Sequence, residues 1–423
     1  MLYAPCFSLY RLIYKSCKMK KNVILIMSAI ILTLLFSDLN AQVTFANYTT
    51  TDGLADDFVC GGVCVDQANV KWFGTQSGVS KFDGTIWTTY TTTDGLVDNY
   101  ATCIAYDNTN DKIWIGTNNG VSVYDGSTFV NYTTADGLVD NSTMDLVVDD
   151  NGIAWVTSFS GLSKIDNGTI TNFTTVDGMS SDLTTRVLAV ESDLYVGTLN
   201  AGFMIYDGST FQAVGTEDGL LDNYVSAIEV DDAGNIYVGS YAGVTVFDAS
   251  LTVTDTYTLA VELFNDYVQD IVIDGNGNLI ILEYADYLSD GGVTVFDGTN
   301  WNFYTVEEGL VDVMVKKAEL DIDGNVWITT GSGVSKMSLG SGVRSNYANA
   351  EASVYPNPAS DYVRIANLDG AFSFQITDIT GRVVADGQDV QSDYIDISNL
   401  TNSVYFITFE NKGSLYSAKI IVE

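Results

Sequence analysis

Short alternating runs of apolar and polar residues, each bounded by Asp, Asn or Gly, fill most of the chain between residues 43 and 340. In one representative stretch, Ala101–Asp107, Lys112–Thr117, Val121–Asp125 and Phe129–Thr133 are rich in Val, Ile, Tyr, Trp and Thr, the composition of half-buried strands. Asn108–Asp111, Asn118–Gly120 and Gly126–Ser127 separate them and supply the positive-φ residues that tight hairpins require. The pattern predicts four short strands joined as an antiparallel meander.

The meander repeats. An Asp-Gly-Leu tripeptide at Asp52 returns at Asp94, Asp136 and Asp218, as Asp-Gly-Met at Asp177 and as Glu-Gly-Leu at Glu308, in steps of 42, 42, 41, 41 and 90 residues. The last step holds one worn copy. An aromatic residue opens the second strand of six units, at Trp72, Trp114, Trp155, Tyr195, Tyr237 and Trp327, and Ile280–Leu282 takes that place in the sixth. These side chains are expected to be apolar packing between repeats. A period near 42 built from strands predicts an all-β fold, a seven-bladed β-propeller of four-stranded antiparallel blades over residues 42–340. The seventh unit stops after Ser338 without a fourth strand, and Val43–Tyr48 ahead of the first unit matches the missing one. The N-terminal strand is therefore expected to close the ring, which removes an exposed edge.

Beyond Lys336 the pattern changes. A linker at 341–352 leads to Tyr355-Pro356-Asn357-Pro358 and then to alternating runs at Tyr362–Ala366, Phe372–Asp378, Arg382–Ala385, Tyr394–Ile397, Val404–Glu410 and Tyr416–Val422. These predict a small C-terminal β-sandwich over 353–423.

Two resemblances follow from these motifs. The repeat, seen best in Asp218–Asn223, Asp231–Ser240 and Gly243–Asp248, resembles the two-component regulator propeller. The resemblance implies the extracellular sensing part of a signalling protein, although no kinase or response regulator accompanies the repeats here. The C-terminal unit is similar to the sorting domain of the type IX secretion system through Tyr355, Pro356, Asn357, Pro358, Gly381 and Lys419, within Tyr355–Ser360, Ile376–Val384, Ile395–Leu400 and Lys419–Glu423. Ser403 stands where that family usually has Gly. This second resemblance implies passage across the outer membrane of a Gram-negative bacterium, with the secretion machinery as a partner and release or surface attachment as the outcome.

The N-terminal region agrees with export. Met19-Lys20-Lys21, an apolar run of 14 residues from Val23 to Phe36 and Leu39–Gln42 have the order of a secretory signal. Residues 1–41 are expected to be that signal region, with Met19 the better initiator, and the run is short of the roughly 20 residues that span a bilayer. Charge narrows the partners. With 18 Lys+Arg, 54 Asp+Glu and no His, the net charge is −36; loss of residues 1–41 removes five bases and one acid and leaves −40. Such a chain repels phosphate, so nucleic acid is excluded as a partner, and the commonest general base is absent. Cys60, Cys64 and Cys103 remain after the signal. Cys60 and Cys64 would lie roughly 13 Å apart along a strand, too far to bridge, and unpaired buried thiols are expected.

Candidate chemistry gathers where loops before the first strands and between second and third strands meet at one mouth of the ring. The Asp-Gly-Leu loops place Asp56, Asp98, Asp140, Ser181, Asp222, Asn265 and Asp312 there, with Asp57, Asn99, Asn141, Asp182, Asn223 and Asp266 beside them. A rim drawn through Asp56, Asp98, Asp140, Asp182, Asp222, Asp266 and Asp312 would suit Ca²⁺, a hard cation that takes several oxygens; repetition in every unit favours the other reading, in which Asp and Asn after a turn bond their own backbone. No other cofactor is implied. Asp231–Asn235, Asp274–Asn278 and Asp321–Asn325 resemble calcium loops but lack the closing Glu, so they read as hairpin turns. The sixth unit departs from the rule with Glu283–Gly291, and Glu283, Tyr284, Asp286, Tyr287 and Asp290 are the first candidates for a ligand site. The whole reads as a secreted or surface propeller acting as a non-catalytic module that binds a glycan or surface protein. A glycoside hydrolase or lyase using rim carboxylates and a sensing module are the alternatives.

Overall fold

The computed structural model describes residues 43–259, 262–285, 291–339, 354–355, 359–365, 372–378, 382–390, 394–411 and 414–422. The expected signal region and linker lie outside them. The chain divides into two compact units, Met1–Gly340 and Ser341–Glu423.

In the first unit the described strands form seven four-stranded antiparallel sheets. The second sheet has strands at Ala101–Asp107, Lys112–Thr117, Gly120–Tyr124 and Phe129–Tyr132, within a residue of the sequence expectation at every end. The first strands of the sheets, in chain order, are Val63–Val65, Ala101–Asp107, Thr143–Val148, Thr184–Val190, Val225–Val230, Val268–Ile273 and Val315–Leu320. Each packs on the next, and Val315–Leu320 packs on Val63–Val65. In the seventh sheet, Thr44–Tyr48 pairs antiparallel with Gly333–Ser338, from Thr44 opposite Ser338 to Tyr48 opposite Val334. The N-terminal strand thus supplies the strand missing from the last repeat. Six of the first strands carry a register shift near their start, as between Thr143 and Leu146 or Val315 and Ala318. Such bulges re-aim side chains.

Neighbouring sheets are joined by aromatic packing. Trp72, 4% exposed, lies 5.7 Å from Tyr90 of its own sheet and 5.8 Å from Tyr124 of the next. Trp155 sits in the same way between Phe173 and Tyr206, both at 5.9 Å. In the first, third and seventh sheets the first hairpin fixes the indole by a second link, from Trp72 to Asp66, Trp155 to Asp149 and Trp327 to Asp321. Asp66 accepts the amides of Ala68 and Val70 and the Trp72 indole N–H (3.2 Å), and Asp321 accepts Asp323, Asn325 and the Trp327 indole (2.9 Å). The calcium-like loops are therefore turns whose leading carboxylate holds its own backbone. In the second sheet this hairpin is one residue longer, with Asp111 at φ +54, and Asp107 bonds Thr109 and Asn110 instead. Trp114 Nε1 is left without a partner among the described residues. A buried unpaired donor costs about 1–3 kcal/mol. Trp114→Phe should accordingly shift the thermal midpoint less than Trp155→Phe or Trp327→Phe, which each remove a bond; equal losses in all three would refute the register argument.

The second unit has a three-stranded sheet of Val354–Tyr355, Tyr362–Ile365 and Tyr394–Asp396, and a four-stranded sheet ordered Val383–Val390, Phe372–Asp378, Ser403–Asn411, Ser414–Val422. Val363, Phe372, Ile376, Ile395, Tyr405, Ile407 and Ile420 form their shared core. The strand expected at Arg382–Ala385 runs on to Val390, because the polar Asp386–Asp389 stretch hides its alternation. Tyr355 and Lys419 fall on strands, whereas Pro356, Asn357, Pro358 and Gly381 lie outside the described residues.

Candidate functional site: the mouth and channel of the first unit

The Asp-Gly-Leu turn is built from its own side chains. Asp52 accepts the Thr49 amide (2.9 Å), Gly53 takes φ +118, and Leu54 drops into the core at 3% exposure. The same bond recurs from Thr91 to Asp94, Thr133 to Asp136, Thr174 to Asp177 and Thr305 to Glu308. In the worn sixth unit Glu262 takes the Thr258 amide (3.3 Å) and Leu263 is the buried residue.

The rim residues follow suit. Asp56, Asp98, Asp140, Asp222 and Asp312 each accept the amide two residues on, at 2.8–3.1 Å, and Ser181 and Asn265 do so in the fourth and sixth sheets. Asp182 and Asp266 belong to a different ring. Like Asp57, they reach back seven residues to the amides of Thr175 and Leu259, each at 2.6 Å. Ser77, Ser160 and Ser332 hydroxyls donate to Asp56, Asp140 and Asp312, and the Ser160 bond holds the Asp140 carboxyl below its usual range. Among the described residues no three Cys, Asp or Glu converge in a way that could hold a metal ion.

Glu283 departs from expectation. It is the last residue of a strand, Leu279–Glu283, that pairs as far as Gly292, so its side chain enters the sheet rather than the mouth. The carboxylate is wholly buried, accepting the Asn265 amide (2.6 Å) and the Thr294 hydroxyl (2.5 Å). In the other sheets a Thr or Ser at this place closes on a Gly carbonyl, as Thr75 does on Gly78. Burial pushes the Glu283 carboxyl up to about 7. Tyr284 does reach the mouth. Asp286, Tyr287 and Asp290 lie outside the described residues.

Aromatic residues, which the reading of loop acids passed over, line this mouth. The two loop sets lie side by side, since the Asn118 amide meets the Tyr100 carbonyl, Leu199 meets Leu183 and Tyr284 meets Tyr267. Phe159, Leu199, Tyr241 and Tyr267 are 46%, 37%, 48% and 37% exposed. Tyr241 lies 4.2 Å from Tyr224 and 5.1 Å from Tyr267 between ring centres. Lys316 Nζ stands 4.8 Å over Tyr284 and 5.6 Å from the Phe58 ring. A signal existed in the sequence: Phe58, Tyr100, Tyr224 and Tyr267 each follow the rim pair.

The seven first strands line a cavity of about 520 Å³. Lys317 bridges Asp145 (3.7 Å) and Asp270 (3.5 Å) across it. Asp270 also accepts the Ala318 amide (2.9 Å) and Asp145 the Val187 amide (3.3 Å), while Arg186 donates to the carbonyls of Ser226 and Gln269. Third, fourth, fifth, sixth and seventh sheets are tied together by these bonds. Glu229 is pushed up to about 8 by burial and then by Asp270 and Glu319. Glu319 lines the cavity with an accessible side chain yet is surrounded by protein, and that burial, with Asp270 adding, raises it to about 7. The three thiols are unpaired; burial pushes Cys103 up to about 12 and Cys64 well above its usual value, which makes both poor nucleophiles. A second hollow of about 690 Å³ separates the fourth and fifth sheets at the far end. There the tight turn after Val190, with Glu191 at φ +53, replaces the longer hairpins that elsewhere bond across, as Gln67 does to Asn108 and Thr109 to Asp150.

Residues 95–119 and 219–242 match the family described as two component regulator propeller, and residues 353–423 match the secretion system C-terminal sorting domain. No curated protein matches the chain. Among solved structures it is similar to PorZ, a surface component of the type-IX secretion system of Porphyromonas gingivalis, with 19% identity, a TM-score of 0.58, and 88% of this chain and 60% of PorZ covered. It is also similar to the extracellular domain of BT3049, of the hybrid two component type, from B. thetaiotaomicron, with 21% identity, a TM-score of 0.59, and 90% and 54% covered. Virginiamycin B lyase from Staphylococcus aureus, solved with quinupristin, gives 14% identity, a TM-score of 0.57, and 70% and 99% covered. The chain spans little more than half the length of the first two. At these identities the likeness is one of fold. A sorting domain implies export to the cell surface or secretion, and no helix among the described residues is long and apolar enough to cross a membrane. The chain thus joins propeller repeats of the two-component regulator type to a type IX secretion C-terminal sorting domain.

Proposed function

We propose that this chain is an exported, closed seven-bladed propeller that binds its ligand at the mouth of the channel and does not transform it. One observation carries the reading. The rim carboxylates bond their own turns, while Phe159, Leu199, Tyr241 and Tyr267 stand exposed at the same mouth and Tyr284 lies half-buried beside them. Rigid aromatic rings beside a cavity are the usual anchors of a binding surface. A sorting domain over residues 353–423 supports export, where a surface glycan or surface protein is the ligand to expect, and similarity to surface propellers supports the same destination.

The test uses the full chain, immobilised and challenged with a panel of glycans and bacterial surface proteins, with released products measured alongside. Retention of one panel member without products is expected, falling about tenfold or more in Tyr241→Ala with Tyr267→Ala, given about 0.5–1.5 kcal/mol per aromatic contact. Turnover of a panel member that persists in the double variant would overturn the binding reading.

A further inference from the structure

The mouth already holds one cation, and its geometry shows how. Lys316 stands over Tyr284 and beside Phe58, on the ring faces where the π-quadrupole is negative. Next to it, Tyr224, Tyr241 and Tyr267 form a second run of rings in contact, with Tyr241 and Tyr267 open to solvent. Among the described residues no Lys or Arg is seated over Tyr241 or Tyr267. The chain as a whole carries a net charge of −36, which draws cations in and turns acidic polymers away.

We propose that the Tyr224–Tyr241–Tyr267 run receives an arginine or lysine side chain from a basic polypeptide segment, beside the place that Lys316 fills. The proposal rests on the mouth being the binding face and adds the chemical class of what it binds. Ring faces supply attraction without the bidentate carboxylates that a pure ion pair would need, consistent with rim acids that bond their own turns. Guanidinium, planar and weakly hydrated, stacks better than ammonium.

Fluorescence anisotropy of the full chain with a labelled Gly-Arg repeat peptide tests this, with a Gly-Glu peptide and neutral oligosaccharides as comparisons. The Gly-Arg peptide is expected to bind, with affinity about tenfold or more lower in Tyr241→Leu with Tyr267→Leu, and retained in Tyr241→Phe with Tyr267→Phe. Asp193→Asn with Asp232→Asn, in the acidic hollow between the fourth and fifth sheets, is expected to change it less than about twofold. Peptide binding that survives the leucine variants, or falls instead with the hollow, overturns the cation seat. Oligosaccharide binding lost in the leucine variants, with no peptide binding, overturns the class and leaves the mouth as binding face. If neither probe is affected by any mouth variant, both readings fail.

Discussion

Trp327→Ala is expected to lower stability by about 3–5 kcal/mol, the range for removing a buried aromatic side chain. The indole is 2% exposed and sits where three segments meet. It stacks on Tyr48 of the N-terminal strand at 5.5 Å and packs against Phe73 and Phe82 of the first sheet at 5.8 and 6.0 Å. Its N–H reaches Asp321, which also carries the Lys71 ammonium at 3.4 Å in a buried pair. Removing the ring leaves a cavity and loosens the join between Thr44–Tyr48 and the sheet it completes. Limited proteolysis should then cut near Tyr48 in Trp327→Ala but not in Trp155→Ala, whose ring lies between the third and fourth sheets. A loss under about 1 kcal/mol, or equal cleavage in both variants, would refute this account of the seam.

Lys317→Met is expected to cost about 2–4 kcal/mol at pH 8 and much less at pH 5. Without the ammonium, Asp145 and Asp270 lose their shared partner and the channel retains Arg186 alone against four carboxyl groups. The pH dependence comes from Glu229 and Glu319. Their folded values of about 8 and about 7 lie above the ordinary 4.5, so the folded state holds protons that the unfolded state has released. Their contribution to stability is therefore fully present below about pH 4.5 and is lost as pH rises toward 8. Glu229→Gln should raise the thermal midpoint at pH 8 and leave it unchanged near pH 4.5. Glu283, also raised to about 7, adds to the same slope in both proteins and cancels in that comparison. Turn carboxylates such as Asp207, held down at about 2 by the Thr210 amide and Ser209, act only at lower pH. A Glu229→Gln difference that is flat with pH would sink the argument.

The sequence made the scaffold readable because local rules repeat. Asp52, Gly53 and Leu54 show why: a capping carboxylate, a positive-φ glycine and a buried anchor serve one turn, so the motif survives wherever that turn does. The same reasoning favoured a turn-forming role for the rim acids, and their bonds to the amides two residues on follow it. The channel was hidden because Asp145, Arg186, Glu229, Asp270 and Lys317 do not repeat; each is an ordinary polar residue on an alternating strand until the ring brings it against four others. Departure from the repeat was the available signal, and it pointed to the sixth unit. There it met a local limit: one more residue of strand turned Glu283 from the mouth into the sheet. The aromatic mouth was legible in principle, since Tyr224 and Tyr267 follow the rim pair as Phe58 and Tyr100 do.

The pairing of Thr44–Tyr48 with Gly333–Ser338 has a kinetic meaning as well. Ser335 meets Asn47 across 288 residues of sequence, so the seventh sheet cannot be completed until the whole repeat region is available to fold. Closing so distant a contact is slow relative to forming each hairpin. A chain that emerges N-terminus first would carry one strand of that sheet at its start and three in its last repeat, so the sheet could form only after the last repeat had emerged. Completion of the seventh sheet thus depends on the first strand and the last repeat together.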